Sequence, residues 1–515
     1  MRSPANSGVV SVWLLFVTSA PAIIEVADAE PTTSARPDSL RIVLWAGYAL
    51  MALQLICFMT WSTILYHDFA LGIDYTTYHQ GWYLIAHGDL NPRNSSFGDL
   101  FWQDHSEFVM WPLALFYWIP PHDLMLQWLQ DVGIVVAEAV AFTWICELVR
   151  KHRPGRDAVW LAGTGLVLLI ANPWTWWSAS FNFHTEAVAI AFLMLLARDL
   201  ANGRRRAWAW AAALLACGDV SATYLIGIGL SGVLAGRRSR WPGTVMMGLG
   251  VAFLQITKIT NGDLSSPLWA YSYLQANPSA PVSFGALAKG VAAHPARAVG
   301  ALWSKRWLTW QNLAASGPLG LGFVWTLPVA AVVWVTNDLA LGTLFARPSF
   351  QMLPLYMLLP VGTVMVLAWV ARRQTFVALL LAGLVVAQAT ALTAEWGSKT
   401  EEHWLVVPQN TAATLSSVLP RIPASDEVVV SPNVAGRFSG RRDIQALYRP
   451  GRIPLDGSTT WFVVVPASET LDPSQTQQVI NELNGAMHAT RVTQANGVWV
   501  YRWTPPRHQA SYTVP

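Results

Sequence analysis

The sequence predicts an α-helical polytopic membrane protein of about eleven transmembrane helices, with a small extracytoplasmic α/β domain at its C-terminal end. Three observations predict it. The 515 residues are 53% hydrophobic and only 12% charged, where soluble globular proteins carry about 25% charged residues. Several apolar runs reach the roughly 18 residues that a bilayer core demands. The charges between those runs are also sorted by sign. KHRPGR (151–156), RDLANGRRR (198–206) and GRRSR (236–240) fall at every second turn, and acidic or histidine-bearing turns alternate with them.

Basic turns face the cytosol. This places 67–122, 172–186, 217–221 and 261–266 together on the outer face, and the N-terminus in the cytoplasm. In chain order, 1–41 reads as a disordered cytosolic tail. Ala27-Asp28-Ala29 after the apolar run 9–24 resembles a signal-peptidase site, but Glu25 interrupts it and Arg2 alone precedes it. The membrane domain is 42–395. Its spans are placed at 42–66, 123–149, 158–175, 184–200, 206–217, 220–236, 241–259, 317–336, 352–370 and 375–394. Parity requires one more, placed at 297–315. The apolar stretch 108–119 is too short to cross, and Pro120-Pro121 stop it. Residues 261–316 otherwise form an outer segment suited to interfacial helices. Beyond 400, Val428–Val430 and Val463–Val465 read as strands, 476–487 as a helix and 497–503 as a strand. That alternation makes 400–515 an α/β domain. No Gly-rich phosphate loop marks it as a nucleotide binder.

Composition also excludes. A net charge of +3 gives no basic field for nucleic acid. Cys57, Cys146 and Cys217 lie in or at the ends of apolar runs without metal-type spacing, so they read as buried hydrophobes. The 28 tryptophans suit membrane interfaces. Trp174, Trp176 and Trp177 read as such anchors.

The ionisable residues concentrate in 67–109, with Asp68, Asp74, His79, His87, Asp89, Asp99, Asp104, His105 and Glu107. Asp74, just beyond the first span, is the expected chemical centre. Its plain alternative is a helix N-cap. His184-Thr185-Glu186 opens a membrane helix near its outer end. An acid there suits the helix dipole, but a His and an acid at that depth are costly enough to suggest a site. Asp219 sits in a tight outer turn, where a turn role competes. Lys258 and Arg347 are outer-face cations. Glu138 stands mid-span, where a carboxylate is protonated or paired.

These residues resemble the polytopic bacterial domain-of-unknown-function family 2079, grouped with C-type (GT-C) glycosyltransferases. The family's outer-loop motif, an Asp followed five and six residues later by an acid and Gln, falls here on Asp74, His79 and Gln80. Its His-Gly pair falls on His87-Gly88, and a later His on His105. Its Asp-Phe-His-Pro-Glu falls on Asn182 through Glu186, and its Lys-Glu-Asp on Cys217-Gly218-Asp219. The similarity covers roughly 45–395. Asp74, Gln80, His105, His184, Glu186 and Asp219 keep the pattern, whereas His79, Asn182, Cys217 and Gly218 depart from it.

The resemblance implies a GT-C-like fold and transfer of a sugar from a polyprenyl-phosphate donor to a glycan, lipid or protein acceptor at the outer face. Asp74 would take the acceptor proton. His105, His184, Lys258 and Arg347 would partner the departing phosphate, with Gln80, Glu186 and Asp219 completing the substrate site. A divalent metal, Mg or Mn, has Asp74, Glu107, His184, Glu186 and Asp219 as candidate ligands. Two other functions compete. The changed positions suit a non-catalytic scaffold. A lipid or solute transporter would depend most on Glu138, though no internal repeat supports it.

Overall fold

The computed structural model describes residues 39–94, 98, 100–153, 156–261, 267–279, 282–342, 346–398, 406–448, 451–505 and 511–514. The tail expected at 1–41 lies, up to residue 38, outside them. So do the side chains of His105 and Lys258, within helices whose backbone is described.

The chain is mainly helical. α1 (Ser39–His67) is the first span, and α2 (Ile73–Ala86) follows after a short connection. Two single-turn helices come next, α3 (Phe101–His105) and α4 (Met110–Ala114). Then come α5 (His122–His152), α6 (Arg156–Ile170), α7 (Pro173–Ser180) and α8 (Thr185–Ala201). α9 (Ala207–Ala216), α10 (Asp219–Ala235) and α11 (Arg237–Asn261) continue the bundle. Short helices α12 (Phe284–Ala293), α13 (Pro295–Ser304) and α14 (Arg306–Ser316) lead to α15 (Leu327–Leu339), α16 (Leu353–Ala371) and α17 (Thr375–Ser398).

Among the described residues, five helical segments are long and apolar enough to cross a membrane: 39–67, 122–152, 157–180, 350–371 and 375–398. Their burial sorts them into layers. In its most apolar window the 350–371 segment is 78% buried, against 22% for α1 and α17, so α16 is the hub and the other two form the rim. α1 and α5 meet closely: a Cβ on Gly47 would lie 2.2 Å from the Phe142 ring. Small residues at such crossings let membrane helices gain contact area.

Two spans differ from expectation. The stretch 297–315 is not one helix but α13 and α14, of 10 and 11 residues. They part at Lys305, whose buried amine donates to the carbonyls of Asp338, at 2.7 Å, and Ala340. The stretch 317–336 begins with a short 3₁₀ helix, Pro318–Gly322, and its α-helix starts only at Leu327. Gly317 has φ +93°, and a Cβ on Gly320 would lie 2.3 Å from the Leu359 carbonyl oxygen. This break in the α-helix is tolerated because Gly320 packs against Leu359 of α16.

Helix α18 (Gln409–Val418) opens the C-terminal domain, and α19 (Pro473–Asn484) follows four of its seven strands. These are β1 (Glu427–Val430), β2 (Ile444–Ala446), β3 (Gly451–Pro454), β4 (Thr460–Val464), β5 (Thr490–Ala495), β6 (Val498–Trp503) and β7 (Ser511–Val514). The main sheet runs β2-β1-β4-β6-β5, parallel across its first three strands and antiparallel thereafter, and β3 pairs with β7. Alternation along β1 builds two cores. Val428 and Val430 face Leu415 and Val418 of α18, while Val429 faces Val479, Ile480 and Leu483 of α19. Phe69, from the α1–α2 connection, joins the first of these cores and packs 5.8 Å from the Phe438 ring. One membrane-domain side chain is thus part of the α/β domain's interior.

Candidate functional site

Helix α2 carries polar side chains in two directions. Its N-cap is Gly72, with no side-chain cap, so Asp74 is not an N-cap. It sits in the first turn, where a carboxylate still gains from the helix dipole. The Gly72 amide donates to Asn182 Oδ1 at 2.9 Å. The residue that departs from the family's Asp therefore pins the start of the helix bearing Asp74.

Asp74 Oδ2 lies 3.9 Å from His184 Nε2, and the Asp74 side chain keeps 42% of its surface. That spacing is too long for a hydrogen bond. His184 is held on every other side. Its amide donates to Gln130 Oε1 at 2.8 Å, and Nδ1 contacts the Asn182 carbonyl at 2.8 Å. A carbonyl only accepts, so Nδ1 carries a proton and Nε2 is left toward Asp74. The ring stacks on Phe350 at 3.5 Å and on Phe181 at 5.6 Å. Phe350 brings the loop 346–349 beside the pair, and Arg347 is exposed on that loop. The loop is held from behind, with the Asn312 amide on the Ala346 carbonyl at 3.1 Å and Tyr356 Oη on Asn312 at 2.6 Å.

Tyr78, one turn after Asp74, donates to Glu107 Oε1 at 2.7 Å. Thr185 donates to the same oxygen at 2.7 Å and lies 3.1 Å from the Cys217 carbonyl. Glu107 is 4% exposed, so these donors replace the water it has lost. Cys217 ends α9 in a turn. Asp219 opens α10 and accepts from the Val220 amide at 2.8 Å. The ends of α2, α8 and α9 thus meet at Glu107, through Tyr78, Thr185 and the Cys217 carbonyl. Among the described residues, however, no three His, Cys, Asp or Glu side chains are grouped to hold a metal. Asp74 and His184 approach each other directly.

The neighbouring face of α2 turns to the α/β domain. Gln80 is fully buried and donates to the Arg442 carbonyl at 2.5 Å. His79 stacks on Tyr75 at 5.3 Å, meets Ser439 Oγ at 2.9 Å through Nδ1, and lies 3.6 Å from Asp123 Oδ1 through Nε2. Burial lowers the His79 pKa to about 4, outweighing the attraction of Asp123, so the contact joins a neutral ring to a carboxylate. Asp123 also accepts from Tyr66 Oη at 3.0 Å, and its carbonyl accepts from Tyr75. The sequence reading missed Asp123, Tyr78, Phe181 and Phe350. The acid two positions after Pro121 was the signal for Asp123, but nothing local marks the aromatics. Glu138 belongs to the α1–α5 seam, where Gln54 donates to it at 3.2 Å. Two turns along α5, Asp131 accepts from Ser62 at 2.9 Å.

Residues 65–500 match the family described as predicted membrane protein DUF2079. The chain belongs to that family. Among curated proteins no match is found. Among solved structures, the chain is similar to ArnT from Cupriavidus metallidurans bound to undecaprenyl phosphate. The TM-score is 0.50 at 12% identity, covering 91% of this chain and 98% of that one. For the apo form of the same ArnT the values are 0.48 and 11%, with 87% and 97% covered. At such identity the likeness to the undecaprenyl-phosphate complex establishes a shared fold. The chain is a multi-pass membrane protein with an ArnT-like fold.

Proposed function

We propose that this protein is an inverting glycosyltransferase of the C type, moving a sugar from a polyprenyl phosphate to an acceptor hydroxyl at the extracytoplasmic face, with Asp74 as general base. The observation that carries this reading is the Asp74–His184 pair. It consists of a half-exposed carboxylate and an oriented imidazole nitrogen, 3.9 Å apart. A hydroxyl oxygen seated to one side of that line reaches both at hydrogen-bond distance. The hydroxyl attacks the anomeric carbon, its proton passes to the Asp74 carboxylate, and the electron pair of the breaking carbon–oxygen bond leaves with the lipid phosphate. Arg347, on the loop beside His184, supplies a bidentate donor for that phosphate. ArnT was crystallised with undecaprenyl phosphate, a ligand of the proposed donor's class.

The Arg347 guanidinium is the cation that meets the departing charge in this reading. One observation favours the scaffold reading instead: His79 and Gln80 on α2 are bound to the α/β domain. The deciding experiment is transfer from a polyprenyl-phosphate-linked sugar in proteoliposomes. Asp74→Asn should abolish it while the protein keeps its melting temperature. A wild-type protein without transfer for any donor, or an Asp74→Asn protein of wild-type rate, would refute the assignment.

A further inference from the structure

A cleft of about 690 Å³ opens between the C-terminal end of α2 and the α/β domain. Neither Asp74 nor His184 is among its lining residues. His87, Asp89 and Arg93 line one wall, and Arg442, Asp443 and Asp456 the other. Leu84 and Pro454 are its apolar lining residues. The volume falls within the range of small-molecule sites, about 300–1,000 Å³, but such sites are mostly apolar. This one is polar on both sides.

We propose that this cleft binds the distal part of an oligosaccharide acceptor chain. The word acceptor rests on the transferase reading above; the ligand class rests on the cleft. Sugar hydroxyls both donate and accept, so they use carboxylates and guanidinium groups side by side. The two arginines are offset by three aspartates, which removes the positive field that a polyphosphate or nucleic acid requires. Apolar surface, to which Leu84 and Pro454 contribute, lies beside these charges, and a sugar ring likewise sets an apolar face beside its hydroxyls.

The walls are built rather than accidental. Gln80 binds the Arg442 carbonyl at 2.5 Å, and the Gly436 amide donates to the Leu71 carbonyl at 3.0 Å, so the α/β domain is clamped to α2. His87 Nδ1 donates to the Tyr83 carbonyl at 2.7 Å, leaving Nε2 for a ligand. Arg93 Nε is fixed on the Gly98 carbonyl at 2.9 Å. Burial raises the Asp443 pKa, which Arg442 lowers and Asp456 raises, so these three act on one another across a single wall. The position sets the ligand's size. Leu84 and His87 stand 10 and 13 residues after Asp74 on or just past α2, which is about 15 to 20 Å along the axis. A ligand that fills the cleft and still offers a hydroxyl to Asp74 must be a chain of several rings.

The test reads binding directly, on the full chain in nanodiscs. The probes are linear chito-, cello- and galacturonate oligosaccharides of increasing length, followed by saturation-transfer NMR and calorimetry. At least one series should bind and tighten with chain length. Arg442→Ala and Asp456→Ala, both at exposed side chains, should each weaken that binding tenfold or more. Absence of binding by all three series at millimolar concentration would overturn the proposal. So would equal binding by wild type and both variants, or tighter binding of inorganic polyphosphate. Oligosaccharide binding in a protein without transfer activity would sink the transferase reading and leave the cleft's ligand class standing.

Discussion

Acidification should loosen the joint between α2 and the α/β domain, and His79 should be the cause. In the folded protein this ring is 1% exposed. It faces Ser439 from the α/β domain and Asp123 from α5, and it lies against Tyr75 and Trp82 on its own helix. Burial lowers its pKa from 6.5 to about 4. The folded value lies below the unfolded one, so between them the unfolded chain binds more protons. Stability is therefore full above about pH 6.5, falls as the pH drops through the window, and levels off below about pH 4. At about pH 5 the unfolded-state protonation factor is about 30 and the folded-state factor is close to 1, which gives about 2 kcal/mol lost. The assay is thermal unfolding and limited proteolysis of the nanodisc-embedded protein at pH 7 and pH 5, for wild type and His79→Gln. Glutamine keeps a polar contact for Ser439 but does not titrate, so its drop should be smaller by about that amount. Equal drops in the two proteins would refute the reasoning.

Other substitutions test other parts. Asp74→Asn should reduce transfer by about a hundred- to ten-thousand-fold, the usual contribution of a general base, with unchanged melting; a rate within twofold of wild type would exclude Asp74 as the base. Gly133→Ala would place a Cβ 2.4 Å from the Ala187 carbonyl oxygen and 3.0 Å from the Val188 Cα. Backbone cannot rotate away, so α8 must shift off α5 at about 1–3 kcal/mol, and His184 shifts with it. Melting and transfer should fall together, and an unaltered melting temperature would contradict so close a crossing. Arg437 donates to the His67 carbonyl at 3.1 Å and Ser416 Oγ at 3.3 Å, with its guanidinium 4.4 Å from the Phe69 ring centre. Arg437→Ala should weaken docking by about 1–2 kcal/mol and speed proteolytic release of the α/β domain, while the spans stay intact. Release at the wild-type rate would show that Phe69 holds the domain without it.

What the sequence by itself determined is set by composition and short-range pattern. Apolar length placed α1, α5, α16 and α17, because the bilayer imposes one length on every crossing. Alternating character announced the C-terminal sheet. Its place just beyond the first span and the family motif singled out Asp74, the cost of ionisable groups at depth singled out His184, and the fold brings the two to 3.9 Å across 110 positions. Tertiary structure decided the rest. Nothing near Gln80 shows that its partner is a carbonyl 362 residues away, or that His79 meets Ser439 at a separation of 360. Both look like loop polar groups until the α/β domain covers them. The crossing expected at 297–315 broke at Lys305 because two carbonyls of the distant 338–340 segment bind its amine. Asp123, Tyr78 and Phe350 became part of the site only when helix ends from separate regions converged. Hydropathy and charge act residue by residue and can be read in one dimension. Hydrogen bonds, ring stacking and burial depend on which surfaces meet, and that is fixed only when the helices pack.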